Sequence, residues 1–205
     1  MASAPQIAAP DAARQIRRVQ AITIAWMSVE ATASLFSAGR AHSPALLAFG
    51  GDSAIELLSA VVVLWRFRAG AAHESAERLA TRIAGALLFA LAALVALISA
   101  LSLLGYSEPK PTLIGIAVLV VAAAIMPWLA REKRRLSAAT GSAALRADAA
   151  ESALCAYLSV IAMVGLVMNT IWHLRWADSI AALVILPLII WEGREAIRGK
   201  AFGCC

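Results

Sequence analysis

Residues 48 to 60 read AFGGDSAIELLSA and place two acidic residues, Asp52 and Glu56, four positions apart between long apolar runs. A helix through the whole segment holds both carboxylates near its middle and on one face. A charge at the centre of a bilayer costs about 3 kcal/mol or more, so such groups normally face a partner, a cation or water. The stretch therefore predicts a membrane helix that carries a functional site.

The composition of the 205-residue chain is that of a membrane protein, since 61% of its residues are hydrophobic and only 15% are charged, with a mean hydropathy of +0.79. A helical span of a bilayer takes roughly 20 residues. Six apolar runs approach or exceed this length, and the last of them is short and contains Pro187. They cover residues 19–37, 45–65, 83–104, 112–130, 143–169 and 177–191. We predict an all-α integral membrane protein with six transmembrane helices.

Positive charge is distributed unequally between the two sides of this predicted bundle. Of the 18 Lys and Arg residues, only Arg40, Lys110 and Arg175 fall in connections on the side opposite the termini. The positive-inside rule then predicts that both termini are cytoplasmic. The net charge of +5 needs no nucleic acid partner to explain it, because a basic cytoplasmic face beside anionic lipid accounts for it.

The predicted organisation is a single membrane domain between two short tails. Residues 1–18 are expected to form a flexible cytoplasmic tail, residues 19–198 the six-helix domain, and residues 199–205 a short tail that ends in a cysteine pair. The Ala-rich composition favours a bacterial chain, so we expect a multi-pass protein of the bacterial cytoplasmic membrane.

Five of the 13 acidic residues lie inside predicted spans: Glu30 on helix 1, Asp52 and Glu56 on helix 2, and Asp148 and Glu151 on helix 5. The others, which include Asp178 and Glu192, fall in tails, loops or helix ends. No Lys or Arg is expected deep in a span. The missing positive charge is therefore expected to come from protons or metal ions.

Helical spacing groups four of the intramembrane residues into one ligand set. Glu151 and Cys155 share a face of helix 5, as Asp52 and Glu56 do on helix 2. If these faces meet, three carboxylates and a thiolate can enclose one ion, a donor set that suits a tetrahedral divalent transition metal. The thiolate argues against magnesium and calcium, which prefer oxygen ligands.

At these residues the sequence resembles the cation diffusion facilitator family of divalent-metal/proton antiporters. The family's helix 2 carries two acidic ligands at i and i+4 after a stretch like LLAFGGD, matched by Asp52 and Glu56. Its helix 5 motif, A-D-x-x-H-x-x-x-D, is matched by ALRADAAESALC, with Glu151 at the His position and Cys155 at the last Asp position. Its helix 6 often opens with an aspartate, here Asp178. The resemblance covers roughly residues 19 to 198.

The resemblance implies a transporter that exports a divalent metal from the cytoplasm by proton antiport with alternating access. Zn²⁺ is the first expectation for the cargo, with Cd²⁺, Co²⁺, Ni²⁺, Fe²⁺ and Mn²⁺ as alternatives, and no cofactor is expected to be bound permanently. The resemblance also implies a homodimer. The chain is expected to be a minimal form without the family's C-terminal cytoplasmic domain.

Each candidate residue also has a structural interpretation. Asp52 and Glu56 can form a protonated, hydrogen-bonded pair between helices, and Cys155 can be a small apolar packing residue. Asp148 suits a metal entrance or a link between helices. Glu30 can line a proton path, although a hydrogen bond to Ser or Thr of a neighbouring helix is the favoured role.

The remaining metal-binding residue types lie outside the predicted spans. Cys204 and Cys205 can capture a soft metal at the cytoplasmic entrance, or they form an exposed tail with no role. His42, His73 and His173 are predicted to be solvated loop residues.

Two other function classes remain open from the sequence. The first is a non-transporting membrane metal sensor or assembly factor with the same site, which would bind metal without moving it. The second, less favoured, is an intramembrane enzyme that uses the paired carboxylates as acid and base. The predicted spans hold no His, no nucleophile paired with a base and no nucleotide motif, so we predict that the protein is not an enzyme.

Overall fold

The computed structural model describes residues 9–69, 74–110, 112–140 and 143–198, and all regular structure within them is α-helical. The helices are α1 (Ala9–Ala41), α2 (Pro44–Ala69), α3 (Glu74–Leu103), α4 (Leu113–Thr140), α5 (Ala143–Trp172) and α6 (Arg175–Ile197). Within the described residues, α1, α3, α4 and α5 contain stretches long and apolar enough to cross a membrane. The predicted all-α membrane fold with six helices is confirmed, and the side on which the termini lie stays a prediction.

The helices form a closed ring in which each contacts two neighbours. In order around the ring they are α1, α2, α3, α6, α5 and α4, and α2 also contacts α5 and α6 across the bundle. The outer surface carries exposed apolar side chains such as Val29, Phe36, Leu97 and Tyr157. An apolar exterior is what a lipid-facing surface requires, and it leaves the polar residues of α2 for the interior.

The corner between α1 and α2 is built by three successive residues. His42 adopts the left-handed conformation with φ of 53°, and the Ser43 amide donates to the Ala38 carbonyl at 3.2 Å, which ends α1 in a Schellman turn. Ser43 Oγ then accepts a hydrogen bond from the Leu46 amide at 3.1 Å and caps α2. Pro44 occupies the first helical position, where its missing N–H costs nothing.

Two glycines just before Asp52 allow α2 to lie close to the helices that precede and follow it in the chain, α1 and α3. A Cβ on Gly50 would stand 2.8 Å from Cβ of Ser34 on α1, and one on Gly51 would stand 2.6 Å from Cδ1 of Leu91 on α3. Small residues at such crossings let membrane helices approach closely. The AFGGD segment is therefore clamped between α1 and α3, which fixes the direction of the next side chain.

Several helices extend beyond the spans expected from the sequence, and three of these extensions bear on the site. Helix α4 continues to Thr140, so the basic stretch after residue 130 is helical rather than a connection. Lys133 in this extension is fully buried, and the expectation that no basic residue lies inside the bundle is wrong for this side chain. Helix α6 continues through Pro187 to Ile197, and α1 begins at Ala9, within the segment expected to be a flexible tail.

Candidate metal site

Three carboxylates from two helices meet inside the bundle. Asp52 and Glu56 of α2 and Glu192 of α6 each present an oxygen within 4.8 Å of the other two, and among the described residues this is the one such group of potential metal ligands. Asp52 is 0% exposed and Glu192 4% exposed, whereas Glu56 is half-buried. We call these three residues the carboxylate trio.

Most oxygens of the carboxylate trio lack a hydrogen-bond donor among the described residues. Both oxygens of Asp52, Oε1 of Glu56 and Oε2 of Glu192 are buried and have no hydrogen-bond partner in the described part of the chain. A buried carboxylate without a donor bears the full cost of leaving water. Three such groups side by side also repel each other, so the arrangement favours a bound cation or protons.

The register between α2 and α6 brings Glu192 to the level of the two α2 acids. At the start of the pair, Asp178 in the first turn of α6 accepts a hydrogen bond from Ser43 Oγ at 2.8 Å, and its other oxygen is 3.5 Å from the Ala45 amide. From there both helices run in the same direction. At 1.5 Å per residue, Glu56 lies about 20 Å beyond Ser43, and Glu192 lies about 21 Å beyond Asp178.

Close contact between α6 and α3 fixes the rotation of α6 at this level. A Cβ on Gly85 of α3 would lie 2.8 Å from the Gly193 carbonyl oxygen, and a Cβ on Gly193 would lie 3.3 Å from the Gly85 carbonyl oxygen. The two backbones therefore approach each other where side chains have no room. With Gly193 against α3, the preceding residue, Glu192, is free to face α2.

Another buried acid, Glu30 on α1, has donors for both carboxylate oxygens. Oε2 accepts from Trp26 Nε1 at 2.6 Å, and Oε1 accepts from Ser53 Oγ at 2.7 Å and from Cys155 Sγ at 3.3 Å. The hydrogen bond to a serine of a neighbouring helix, favoured from the sequence, is therefore present. These four residues, which we call the Glu30 cluster, link α1, α2 and α5.

Of the four ligands predicted from the sequence, two lie in the carboxylate trio and two lie beside it, close enough to the α2 acids for electrostatic interaction. Asp52 and Glu56 belong to the carboxylate trio, whereas Glu151 and Cys155 on α5 do not. Cys155 is fully buried and its thiol is directed to Glu30. Glu151 is half-buried. Ligation by these two α5 residues stays a prediction.

Asp148 links three helices. Its Oδ1 lies 2.7 Å from Lys133 Nζ on α4, its Oδ2 accepts a hydrogen bond from Gln20 on α1, and Lys133 also donates to Ser152 Oγ at 2.9 Å. Lys133 is fully buried, and the Asp148 side chain is 24% exposed. The buried cation therefore has a partner outside the carboxylate trio, and the linking role open from the sequence is observed.

Sequence reasoning missed Glu192 because the predicted sixth span ended at residue 191. The hydrogen bond between Ser43 and Asp178 fixes the register of α2 and α6 and so indicates that Glu192 lies beside the α2 acids. The sequence alone does not reveal this contact. Of the other candidates, Cys204, Cys205 and His73 lie outside the described residues. His42 and His173 are exposed, as predicted.

Comparison with known families identifies the domain to which these helices belong. The model of the cation efflux transmembrane domain matches residues 21–201. The chain belongs to this family. The resemblance to cation diffusion facilitators is thereby confirmed, and the cation efflux domain and its apolar helices make the chain a multi-pass membrane protein.

One curated relative is the manganese efflux system protein MneS of Bacillus subtilis (strain 168). It is 28% identical over 157 residues, which cover 72% of this chain and 54% of MneS. The chain thus spans about half the length of this relative.

Proposed function

We propose that this cation efflux protein transports a divalent transition-metal ion across the membrane, out of the cytoplasm, and that Asp52 and Glu56 bind the ion during transport. The observation that carries the proposal is the absence of donors around Asp52, whose two buried oxygens have no partner in the described part of the chain. A divalent cation supplies the charge that the surrounding side chains do not. Family membership and the similarity to a manganese efflux protein favour the same function.

Protons are the proposed counter-ion. Carboxylates bind metal in their deprotonated form, so binding releases protons and competing protons release the metal. Metal then leaves the cytoplasm while protons enter it. Such an exchange requires a binding site that is open to one side of the membrane at a time, as in transporters whose halves rock around a fixed site. Zn²⁺ and Mn²⁺ are both proposed cargo, the first from the family resemblance and the second from MneS.

Glu151 and Cys155 join this proposal as ligands of a second arrangement of the same site. In the arrangement described here they lie on α5 outside the carboxylate trio. Helix α5 contacts α2, so a shift of α5 against α2 during transport would bring these side chains to the ion. We propose Asp148 as part of the metal entrance and Glu30 as part of the proton path.

The test is metal flux in liposomes that contain the purified protein, with an imposed proton gradient. Zn²⁺, Cd²⁺, Co²⁺, Ni²⁺, Fe²⁺ and Mn²⁺ are compared for the wild type, Asp52→Asn, Glu151→Gln and Cys155→Ser. Saturable, gradient-dependent flux that falls at least tenfold in Asp52→Asn supports the proposal. If the folded wild-type protein moves none of these metals, the transport proposal is wrong.

A metal sensor or assembly factor is the second candidate, because a buried carboxylate site explains binding without explaining movement. Metal binding at equilibrium together with no flux would favour it. Family membership points to a transporter rather than an enzyme.

A further inference from the structure

We infer that Glu192 of α6 is a direct ligand of the transported ion, and that the resulting oxygen-only centre favours a hard divalent cation of the Mn²⁺ class over thiophilic Zn²⁺ or Cd²⁺. The inference rests on the proposed function. It adds a ligand from a third helix, α6, which lies outside the motifs on helices 2 and 5. Three observations carry it: the geometry of the carboxylate trio, the fixed position of α6, and the engagement of Cys155 elsewhere.

The geometry places Glu192 where a ligand is needed. Its side chain is only 4% exposed, its Oε2 has no hydrogen-bond partner among the described residues, and a carboxylate oxygen lies within 4.8 Å of oxygens from both Asp52 and Glu56. A buried, unpartnered acid directed at two others is stabilised by a shared cation. Without one, it faces repulsion from both neighbours.

The position of Glu192 is set by contacts at two levels of α6. The Ser43 hydrogen bond to Asp178 fixes how far along α2 the helix lies, and the Gly85–Gly193 contact fixes its rotation against α3. Ligands must be held in place by the surrounding structure for a site to select among metals. Glu192 meets this condition because both constraints lie within the same helix.

The donor atoms decide the class of metal. Three carboxylates provide six oxygens, and with water they suit the six-coordinate oxygen shells of Mn²⁺, Mg²⁺ and Ca²⁺. Thiolate ligands instead select Zn²⁺ and other soft ions. The Cys155 thiol is excluded from the trio and donates to Glu30 at 3.3 Å, with Ser53 Oγ 3.9 Å from its sulfur.

Charge is consistent with a divalent cargo. When ionised, the trio carries three negative charges, which a dication offsets to within one. Among the described residues, Lys133 is the one buried basic side chain. It lies 2.7 Å from Asp148 and acts on Glu56 of the trio only through longer-range charge attraction. A mobile cation therefore supplies the direct counter-charge that the described side chains do not.

The test is equilibrium binding of Mn²⁺ and Cd²⁺ to the detergent-solubilised protein, with free Mn²⁺ measured by electron paramagnetic resonance and free Cd²⁺ by atomic absorption. The variants are Glu192→Gln, Glu192→Asp, Cys155→Ser and Glu195→Gln. Glu195 is the matched control because it lies three residues further along α6 and pairs instead with Arg198, at 3.6 Å.

We expect the wild type to bind Mn²⁺ and Glu192→Gln to bind it at least tenfold more weakly, with a smaller loss for Glu192→Asp, which keeps the charge. The ratio of Mn²⁺ to Cd²⁺ affinity falls in Glu192→Gln and is unchanged in Cys155→Ser and Glu195→Gln. Thermal unfolding without metal verifies the fold. If Glu192→Gln does not fold, the change of ratio in Glu192→Asp decides.

Equal Mn²⁺ affinity in the wild type and in a folded Glu192→Gln variant would overturn the inference, as would a Mn²⁺ to Cd²⁺ ratio that changes only with Cys155→Ser. Either result leaves transport intact if wild-type liposomes still show flux. Conversely, binding that depends on Glu192 together with no flux upholds the ligand and rejects the transporter.

Discussion

The two ends of the α2–α6 contact both hold buried acids, yet they differ in what surrounds them. At one end, Asp178 accepts a hydrogen bond from Ser43 at 2.8 Å. At the other end, Glu192 faces Asp52 and Glu56, and four oxygens of these three residues have no partner in the described structure. Burial of an acid is therefore not what marks a site. The supply of donors separates the acid that holds the helices together from the acids that we propose as ligands of an ion.

Removal of both α2 acids should have the largest effect, because it should abolish the stabilisation of the protein by metal. In Asp52→Asn/Glu56→Gln we expect metal to cause no stabilisation, whereas the wild type should gain about 2.7 kcal/mol when the free metal concentration is 100 times Kd. Chemical unfolding in detergent with and without Mn²⁺ measures this difference. Glu132→Gln, which removes an acid from a surface ion pair at 3.4 Å from Arg135, is the control and should respond as the wild type does. Equal metal stabilisation in the double variant would contradict a site at Asp52 and Glu56.

Lys133→Met should have the next largest effect, and it should lower the stability of the fold rather than the affinity for metal. It removes the cation that lies 2.7 Å from Asp148, and we expect a loss of about 2 kcal/mol, below the range for a fully buried pair because Asp148 is partly exposed. Lys133→Met/Asp148→Asn should recover part of the loss, because no unpaired carboxylate remains. The free energy of unfolding of the two variants checks this, and a double variant less stable than the single one would argue against a link through this pair.

Asp178→Asn should cost less, about 1 kcal/mol, because the amide oxygen still accepts from Ser43 while the negative charge near the start of α2 is lost. The trio stays intact, so metal should stabilise this variant as much as the wild type. Unfolding with and without metal separates the two contributions. Loss of the metal effect here, with its retention in Glu192→Gln, would reverse the roles assigned to the two ends of the helix pair.

Cys155→Ser should have the smallest effect, under about 1 kcal/mol, because a serine hydroxyl can also donate to Glu30. At equilibrium the Mn²⁺ to Cd²⁺ affinity ratio should not change, because the thiol lies outside the carboxylate trio. In the liposome assay, Zn²⁺ and Cd²⁺ flux should fall relative to Mn²⁺ flux, because Cys155 is proposed as a ligand in the second arrangement of the site, and an unchanged ranking of metals would contradict that role.

The sequence was sufficient for the six helices and for the acids of α2, because apolar runs and the i, i+4 spacing of Asp52 and Glu56 follow from local pattern alone. It was insufficient for contacts between helices that are distant in the chain. Glu192 follows Trp191, where the apolar run of the sixth span ends, and Lys133 stands in a basic stretch that is typical of a loop. Both side chains are buried because α4 and α6 continue past those points against neighbouring helices.

The position of Cys155 illustrates the same limit. Its spacing from Glu151 is correct for a shared helix face, but the sequence does not specify how far α5 is rotated about its axis. In the structure the thiol is directed to Glu30 on α1, a residue 125 positions away in the chain. Such rotation is set by packing of α5 against several helices at once.

The most direct test of the central claim is anomalous X-ray scattering from crystals of the protein grown with Mn²⁺, recorded at the manganese absorption edge. We predict one strong peak among the carboxylates of Asp52, Glu56 and Glu192. A peak between Glu151 and Cys155, or none within the bundle at saturating Mn²⁺, would contradict the account.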